Sequence, residues 1–279
     1  MTAIRVRGLR KRYGDFAAVD GIDLDVAVGE IVAMLGPNGA GKTTTVEICE
    51  GYRTRDEGEV TVLGIDPAKG DRAWREKVGI VLQTSGFTDE LTVRETVGHF
   101  ASMYSNPYPV DELIDTVGLS AKSSDRAHSL SGGQQRRLDV AVGVVGRPEL
   151  LFLDEPTTGF DPEARHQFWS LIRTLREQGT TIVLTTHYLE EAEALADRVA
   201  VLAAGRILAV GAPQTLGGRA DAAAFVRWAD TEGPHELRTD EPTKAVADLA
   251  TRYGGEVPGL TVSRPTLEDV YLQMIGANR

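Results

Sequence analysis

A run apolar on both faces, EIVAMLG, opens directly into GPNGAGKTT at residues 36–44 and continues as KTTTVEICEG. A strand buried on both sides belongs inside a parallel sheet with helices over each face. Gly36–Thr43 matches G-x-x-x-x-G-K-[ST], with the strand before and the helix after that this pattern requires. Gly36, Gly39 and Gly41 let the backbone curl until its amides point at phosphate oxygens, and the helix N-terminus adds positive potential. Pro37, Asn38, Ala40 and Thr44 complete the loop. Lys42 is placed to reach the β- and γ-phosphates of a nucleotide, and Thr43 to ligate Mg²⁺.

The alternation of strand and helix resumes downstream. ELLFLDE reads as a buried strand. DPEARHQFWSLIRTLREQG reads as a helix with Asp161 as its cap, Pro162 in the first turn and Gly179 at its end. TTIVLTT is a strand, YLEEAEALADRV a helix, and VAVLA and RILAV short strands. Upstream, GIDLDVAV puts Ile22, Leu24, Val26 and Val28 on one face and acids on the other, while EVTVLG at 59–64 is a shorter strand. Helices occupy the middle. Thr92 and Glu95 have capping-box spacing ahead of the stripe Val93, Val97, Phe100 and Tyr104. VDELIDTVGL gives a short helix ended by Gly118, and Leu138 to Val145 a buried one. The composition shifts near Gly211–Gly218, so residues from about 216 form a small accessory domain. EPTKAVADLATRYGG and PTLEDVYLQMIG are its helices, the second with Thr266 and Asp269 at cap spacing.

Two carboxylates end the buried strand LLFLD. Asp154 suits the Mg²⁺ shell, and Glu155 can polarise a water for in-line attack on a γ-phosphate. His187 follows TTIVLTT, where side chains emerge at the sheet edge, and Gln83 ends the strand-like VGIVLQ. Tyr13, before a glycine, could stack on a base. LSGGQQRR at 130–137 makes Ser131 a helix cap, and a serine with bare amides at a helix start also clamps phosphate. It suits a phosphate other than the one the first loop already surrounds.

The net charge of −11 opposes a bulk nucleic-acid or anionic-membrane surface. The single cysteine, Cys49, allows no intramolecular disulfide and fits a cytosolic setting. No stretch approaches the roughly 18–20 apolar residues of a membrane span, and the N-terminus lacks the apolar core of a signal peptide. A soluble chain is expected, with any membrane link passing through a partner.

Taken in order over about residues 1–215, these segments resemble the nucleotide-binding subunit of an ATP-binding cassette (ABC) transporter. The carriers are Tyr13, Walker A GPNGAGKTT, the Q-loop Gln83, the signature LSGGQ, Walker B LLFLDE, the D-loop GFDP and the switch His187. Phe160 stands where the D-loop commonly has leucine. The resemblance implies an α/β P-loop NTPase cassette: a mainly parallel core sheet, an antiparallel β-subdomain and a helical subdomain over about 84–146. It implies ATP and Mg²⁺ as ligands, in two sites shared head to tail across a homodimer or paired cassette. Tyr13 would stack on adenine, residues 36–44 would hold phosphates and metal, and Gln83 would sense the metal or the water. Glu155 would be the general base and His187 would hold the γ-phosphate. Ser131, Gly132, Gly133 and Gln134 would serve the mate's nucleotide, and Asp161 would bridge the subunits. Gln83 to about Tyr104 would meet an integral-membrane permease, placing the chain on the cytoplasmic face without inserting.

The tail RPTLEDVYLQMIG resembles the C-terminal extension of export ATPases of the drug-resistance type, and its helix is expected only to pack on the cassette or assist dimerisation. Export coupled to ATP hydrolysis is therefore expected, with an importer subunit as the alternative. A non-transport ABC ATPase acting on DNA or ribosomes would carry a coiled-coil insertion, zinc-binding cysteines or two cassettes, and none is present. Glu155 and His187 oppose a non-catalytic subunit.

Overall fold

In the computed structural model, which describes residues 1–82 and 90–276, the chain opens with two long antiparallel strands, β1 (Thr2–Tyr13) and β2 (Phe16–Ala27). β1 drives Ile4, Val6 and Leu9 into the core and leaves Arg5, Arg7 and Arg10 outside. Its basic residues hide that period-two pattern, and the sequence reading did not find it. Ile22, Leu24 and Val26 are buried as expected, but Val28 lies past the end of β2 and is exposed.

β3 (Ile31–Leu35) is buried at every position and leads into α1 (Lys42–Cys49). β4 (Glu57–Val62) pairs with β1, giving a three-stranded sheet ordered β2-β1-β4. After it come the single turn α2 (Arg72–Arg75) and β5 (Val78–Val81). Trp74 of α2 is buried, and its indole N–H donates to the Val62 carbonyl at 2.9 Å.

Glu50 caps α1 and is buried beside this core. Burial first, then the negative charges of Asp154 and Glu47, pushes its carboxyl up from 4.5 to about 7. Between those values the folded chain holds a proton that the unfolded chain has lost. Stability therefore falls as pH rises through this window and stays reduced above it. Glu50→Gln is expected to stabilise the protein by about 1–3 kcal/mol at pH 8 and negligibly near pH 4. Urea midpoints in metal-free buffer at the two pH values check this.

Three helices follow: α3 (Val93–Ala101), α4 (Val110–Thr116) and α5 (Gly132–Val144). The Thr92–Glu95 capping box is formed, with Thr92 N–H donating to Glu95 Oε2 at 2.9 Å. Val93 and Val97 are buried. Phe100 is only half-buried, as is Tyr104, which falls beyond the helix end. α5 begins six residues before Leu138, because Ser131 caps it at Gly132.

The second α/β series comprises β6 (Leu150–Asp154), α6 (Pro162–Glu177), β7 (Thr181–Thr186), α7 (Leu189–Leu195), β8 (Arg198–Ala203) and β9 (Arg206–Gly211). The six-stranded sheet has the order β5-β6-β7-β3-β8-β9, and β5 through β8 run parallel across it. One apolar core joins Val6 and Ile22 of the antiparallel sheet, Val46 and Ile48 of α1, and Phe152 and Val183 of the parallel sheet.

The chain divides into two compact units, Met1–Val210 and Gly211–Arg279. The second unit contains a sheet that the sequence reading missed: β10 (Ala224–Asp230) between β11 (Gly233–Thr239) and β12 (Thr261–Ser263). Its exposed pairs, such as Arg227 with Glu236, erase the apolar alternation. The two expected helices are present as α8 (Pro242–Tyr253) and α9 (Leu267–Gly276). Val226, Ala245, Leu249 and Val257 form this unit's own small core.

Candidate active site

Sheet register sets the site. Leu35 of β3 lies level with Thr186 of β7, and Asp154 of β6 level with Thr185. The segments beginning at Gly36, Glu155 and His187 therefore leave the same edge of the sheet, at the carboxyl ends of parallel strands, where α/β folds bind ligands.

The Gly36–Thr44 loop needs its glycines for lack of space as well as for backbone freedom. A Cβ on Gly36 would strike the Leu202 carbonyl. Gly41 has φ +98°, and a Cβ there would strike the Ala18 carbonyl. The loop walls a cavity of about 390 Å³, lined by Tyr13, Phe16, Ala18, residues 38–44 and Glu155. Lys42 is buried, and its Nζ donates to the carbonyls of Gly36 at 2.8 Å and Pro37 at 3.2 Å. Burial pulls the Lys42 pKa down, against the opposing pull of Glu155 and Asp154. An added anion would favour the charged ammonium and offset that penalty.

Glu155 connects the cavity to the switch segment. Its Oε1 lies 4.0 Å from Lys42 Nζ and its Oε2 3.3 Å from His187 Nδ1. The residue is held at φ +43°, a conformation costly for a side chain and concentrated at functional sites. The Glu155 backbone N–H is held by Thr185, 3.1 Å from both its carbonyl and its hydroxyl oxygen. The same Thr185 hydroxyl donates to Asp154 Oδ1. Asp154 and His187 thus stand beside the cavity, through Thr185 and Glu155, without lining it. Tyr13, at the end of β1, is 41% exposed, with Arg53 and Lys11 over its ring at 5.3 and 5.8 Å.

The LSGGQ segment is built separately. Ser131 and Gln134 cap α5 reciprocally: Ser131 N–H donates to Gln134 Oε1 at 3.0 Å, and Gln134 N–H to Ser131 Oγ at 3.4 Å. Asp161 caps α6, accepting from Ala164 N–H at 2.8 Å. Ser131, Gly132, Gly133, Gln134 and Asp161 are absent from the described lining of the cavity. Gln83 lies outside the described residues.

Phe16, Ala18 and Thr185 were missed by the sequence reading. Phe16 had a legible signal, an aromatic three residues from Tyr13 across a glycine turn. Arg136 was also missed. It is buried within α5, and its Nε, Nη1 and Nη2 donate to the carbonyls of Pro156 at 3.1 Å, Leu82, and Asp154 at 2.8 Å.

The ABC transporter family matches residues 19–158. The chain is 37% identical to a daunorubicin resistance ATP-binding protein, DrrA3, of Streptomyces coeruleorubidus, over 100% of this chain and 97% of that one. It is also 37% identical to a Nod factor export ATP-binding protein I of Rhizobium sp. (strain N33), over 98% and 97%. An ATP-binding cassette of an ABC transporter, solved in its ADP conformation, superposes with a TM-score of 0.68 at 26% identity, covering 76% of this chain and 91% of that one. The chain belongs to the ABC transporter family, as an ATPase subunit of the export type. Among the described residues no helix is long and apolar enough to cross a membrane.

Proposed function

We propose that this chain hydrolyses ATP in two sites formed head to tail between two cassettes, and that the cycle drives export through a separate integral-membrane permease at the cytoplasmic face. The observation that carries this reading is the separation of the two anion-binding segments: the Lys42 loop walls a cavity that Ser131–Gln134 of the same chain do not line. Ser131, Gly132, Gly133 and Gln134 then meet the nucleotide held by the partner, and two copies about a two-fold axis complete two sites. Asp161, at the start of α6, is the candidate bridge between subunits.

Tyr13 and Phe16 offer ring faces to a base, and residues 36–44 surround phosphates. The chain offers few metal ligands of its own here. Among the described residues no group of three His, Cys, Asp or Glu side chains converges. The Thr43 hydroxyl and the Asp154 carboxylate, with Gln83 from the segment beyond, suit a hard cation that keeps waters and shares phosphate oxygens, as Mg²⁺ does. That ion would neutralise charge on the phosphates. Glu155 takes the proton of the attacking water, Lys42 holds the phosphate oxygens, and His187 keeps the γ-phosphate and the water in line.

The segment from Gln83 to about Tyr104 is the candidate permease contact. Beside and within it, the apolar side chains of Leu82 and Met103 are exposed. The residues from 216 onward form the proposed accessory domain, serving packing or dimerisation. Light scattering tests the reading: adding ATP and Mg²⁺ to Glu155→Gln should double the particle mass, and a monomer at saturating nucleotide would oppose it.

A further inference from the structure

Arg136 ties two segments of the site to one helix. It sits five residues beyond Ser131 on α5, with 6% of its surface exposed. Its guanidinium donates to the carbonyls of Asp154 and Pro156, on either side of Glu155. It donates also to the carbonyl of Leu82, the residue before Gln83. Nη1 lies 3.5 Å from Asp139 Oδ2, one turn further along the helix. A planar fork with five donors can span three carbonyls on two segments, whereas an ammonium offers its donors from a single point.

The placement matters because the residues it joins serve different nucleotides. Glu155 faces the nucleotide of its own chain. Ser131, on the head-to-tail reading, faces the nucleotide of the mate. The guanidinium therefore links the backbone around one site's base to the helix that closes the other site. A displacement of α5 as the mate's phosphates engage Ser131 would move the carbonyls that flank Glu155, whose φ of +43° is held by its surroundings.

We propose that Arg136 is a positioning residue that couples the two nucleotide sites, by fixing the backbone on both sides of Glu155 to the helix that carries Ser131. The inference rests on the two-site reading above. A residue that merely filled space would lower thermal stability without altering how the two sites communicate.

The test uses the full chain and measures three things on Arg136→Lys and Arg136→Gln: affinity for a fluorescent ATP analogue, kcat, and the Hill coefficient for ATP. In the wild type the coefficient should exceed one, with two as its ceiling for two sites. In both variants nucleotide affinity should stay within about threefold, kcat should fall at least about tenfold, and the coefficient should drop to near one. Lysine, keeping the charge, should retain more activity than glutamine. Variants that keep both kcat and the wild-type cooperativity would overturn the proposal. So would variants that fold but lose nucleotide binding, since Arg136 would then support the nucleotide pocket itself, and so would failure of both to fold, since it would then serve the fold alone. A wild type that turns over ATP as a monomer with a coefficient of one would defeat the two-site reading itself. A cooperative wild type with equally cooperative variants would defeat only the role given to Arg136.

Discussion

Glu155→Gln is expected to lower ATP turnover by roughly 10²–10⁴-fold, the range over which a positioned general base acts. The amide has the shape of the carboxylate but cannot take the proton of the attacking water. The surroundings make the exchange mild for the fold. The Glu155 backbone N–H stays held by Thr185, and an amide oxygen can still face Lys42 Nζ. Nucleotide affinity should therefore change little, so that ATP accumulates unhydrolysed and the closed dimer with it. Single-turnover phosphate release alongside equilibrium nucleotide binding separates the two effects. Turnover within about twofold of wild type would remove Glu155 from the chemistry.

Lys42→Ala should act on the opposite quantity. It removes a buried cation that bonds two loop carbonyls and faces Glu155. Truncating one member of a buried charge pair costs about 2–5 kcal/mol in binding, which corresponds to roughly 30- to several-thousand-fold weaker ATP affinity. The nucleotide-free protein should suffer less, because burial already works against the ammonium. The clearest signature is thermal. ATP at a hundredfold excess over its Kd stabilises a folded protein by about 2.7 kcal/mol, and Lys42→Ala should lose that increment at the same ATP concentration. A melting curve with and without ATP and Mg²⁺ reads it directly. An undiminished ATP-induced shift would show that Lys42 does not bear on the phosphates.

What could be read from the sequence follows from which constraints are local. The loop at 36–44 imposes its glycines over nine residues, and the capping boxes at Thr92 and Ser131 close within four, so each leaves its signature in consecutive letters. β3, β6 and β7 declare themselves because strands buried on both faces read as near-continuous apolar runs. β1 does not, since its outward face is arginine and lysine. Nor does the sheet of the second unit, whose outward residues pair by charge across β10 and β11. Arg136 was invisible for a different reason. Its partners are carbonyls 18, 20 and 54 residues away, and a carbonyl has no letter of its own. Thr185 is similar: its position at the strand end was legible, but its bonds to Asp154 and Glu155 depend on the register of β6 against β7.

Intermolecular cross-linking puts the shared-site geometry to its most direct test. Cys49 is the chain's single cysteine and is buried, so engineered thiols stand against a quiet background. One chain carries Asn38→Cys in the exposed part of the phosphate loop, and the other carries Ser131→Cys, both with Glu155→Gln. A short bifunctional thiol reagent should join the two different chains when ATP and Mg²⁺ are present, and leave them separate without nucleotide. Failure to join them at saturating ATP, while the wild-type chain hydrolyses ATP under the same conditions, would contradict a nucleotide held between Lys42 of one chain and Ser131 of the other.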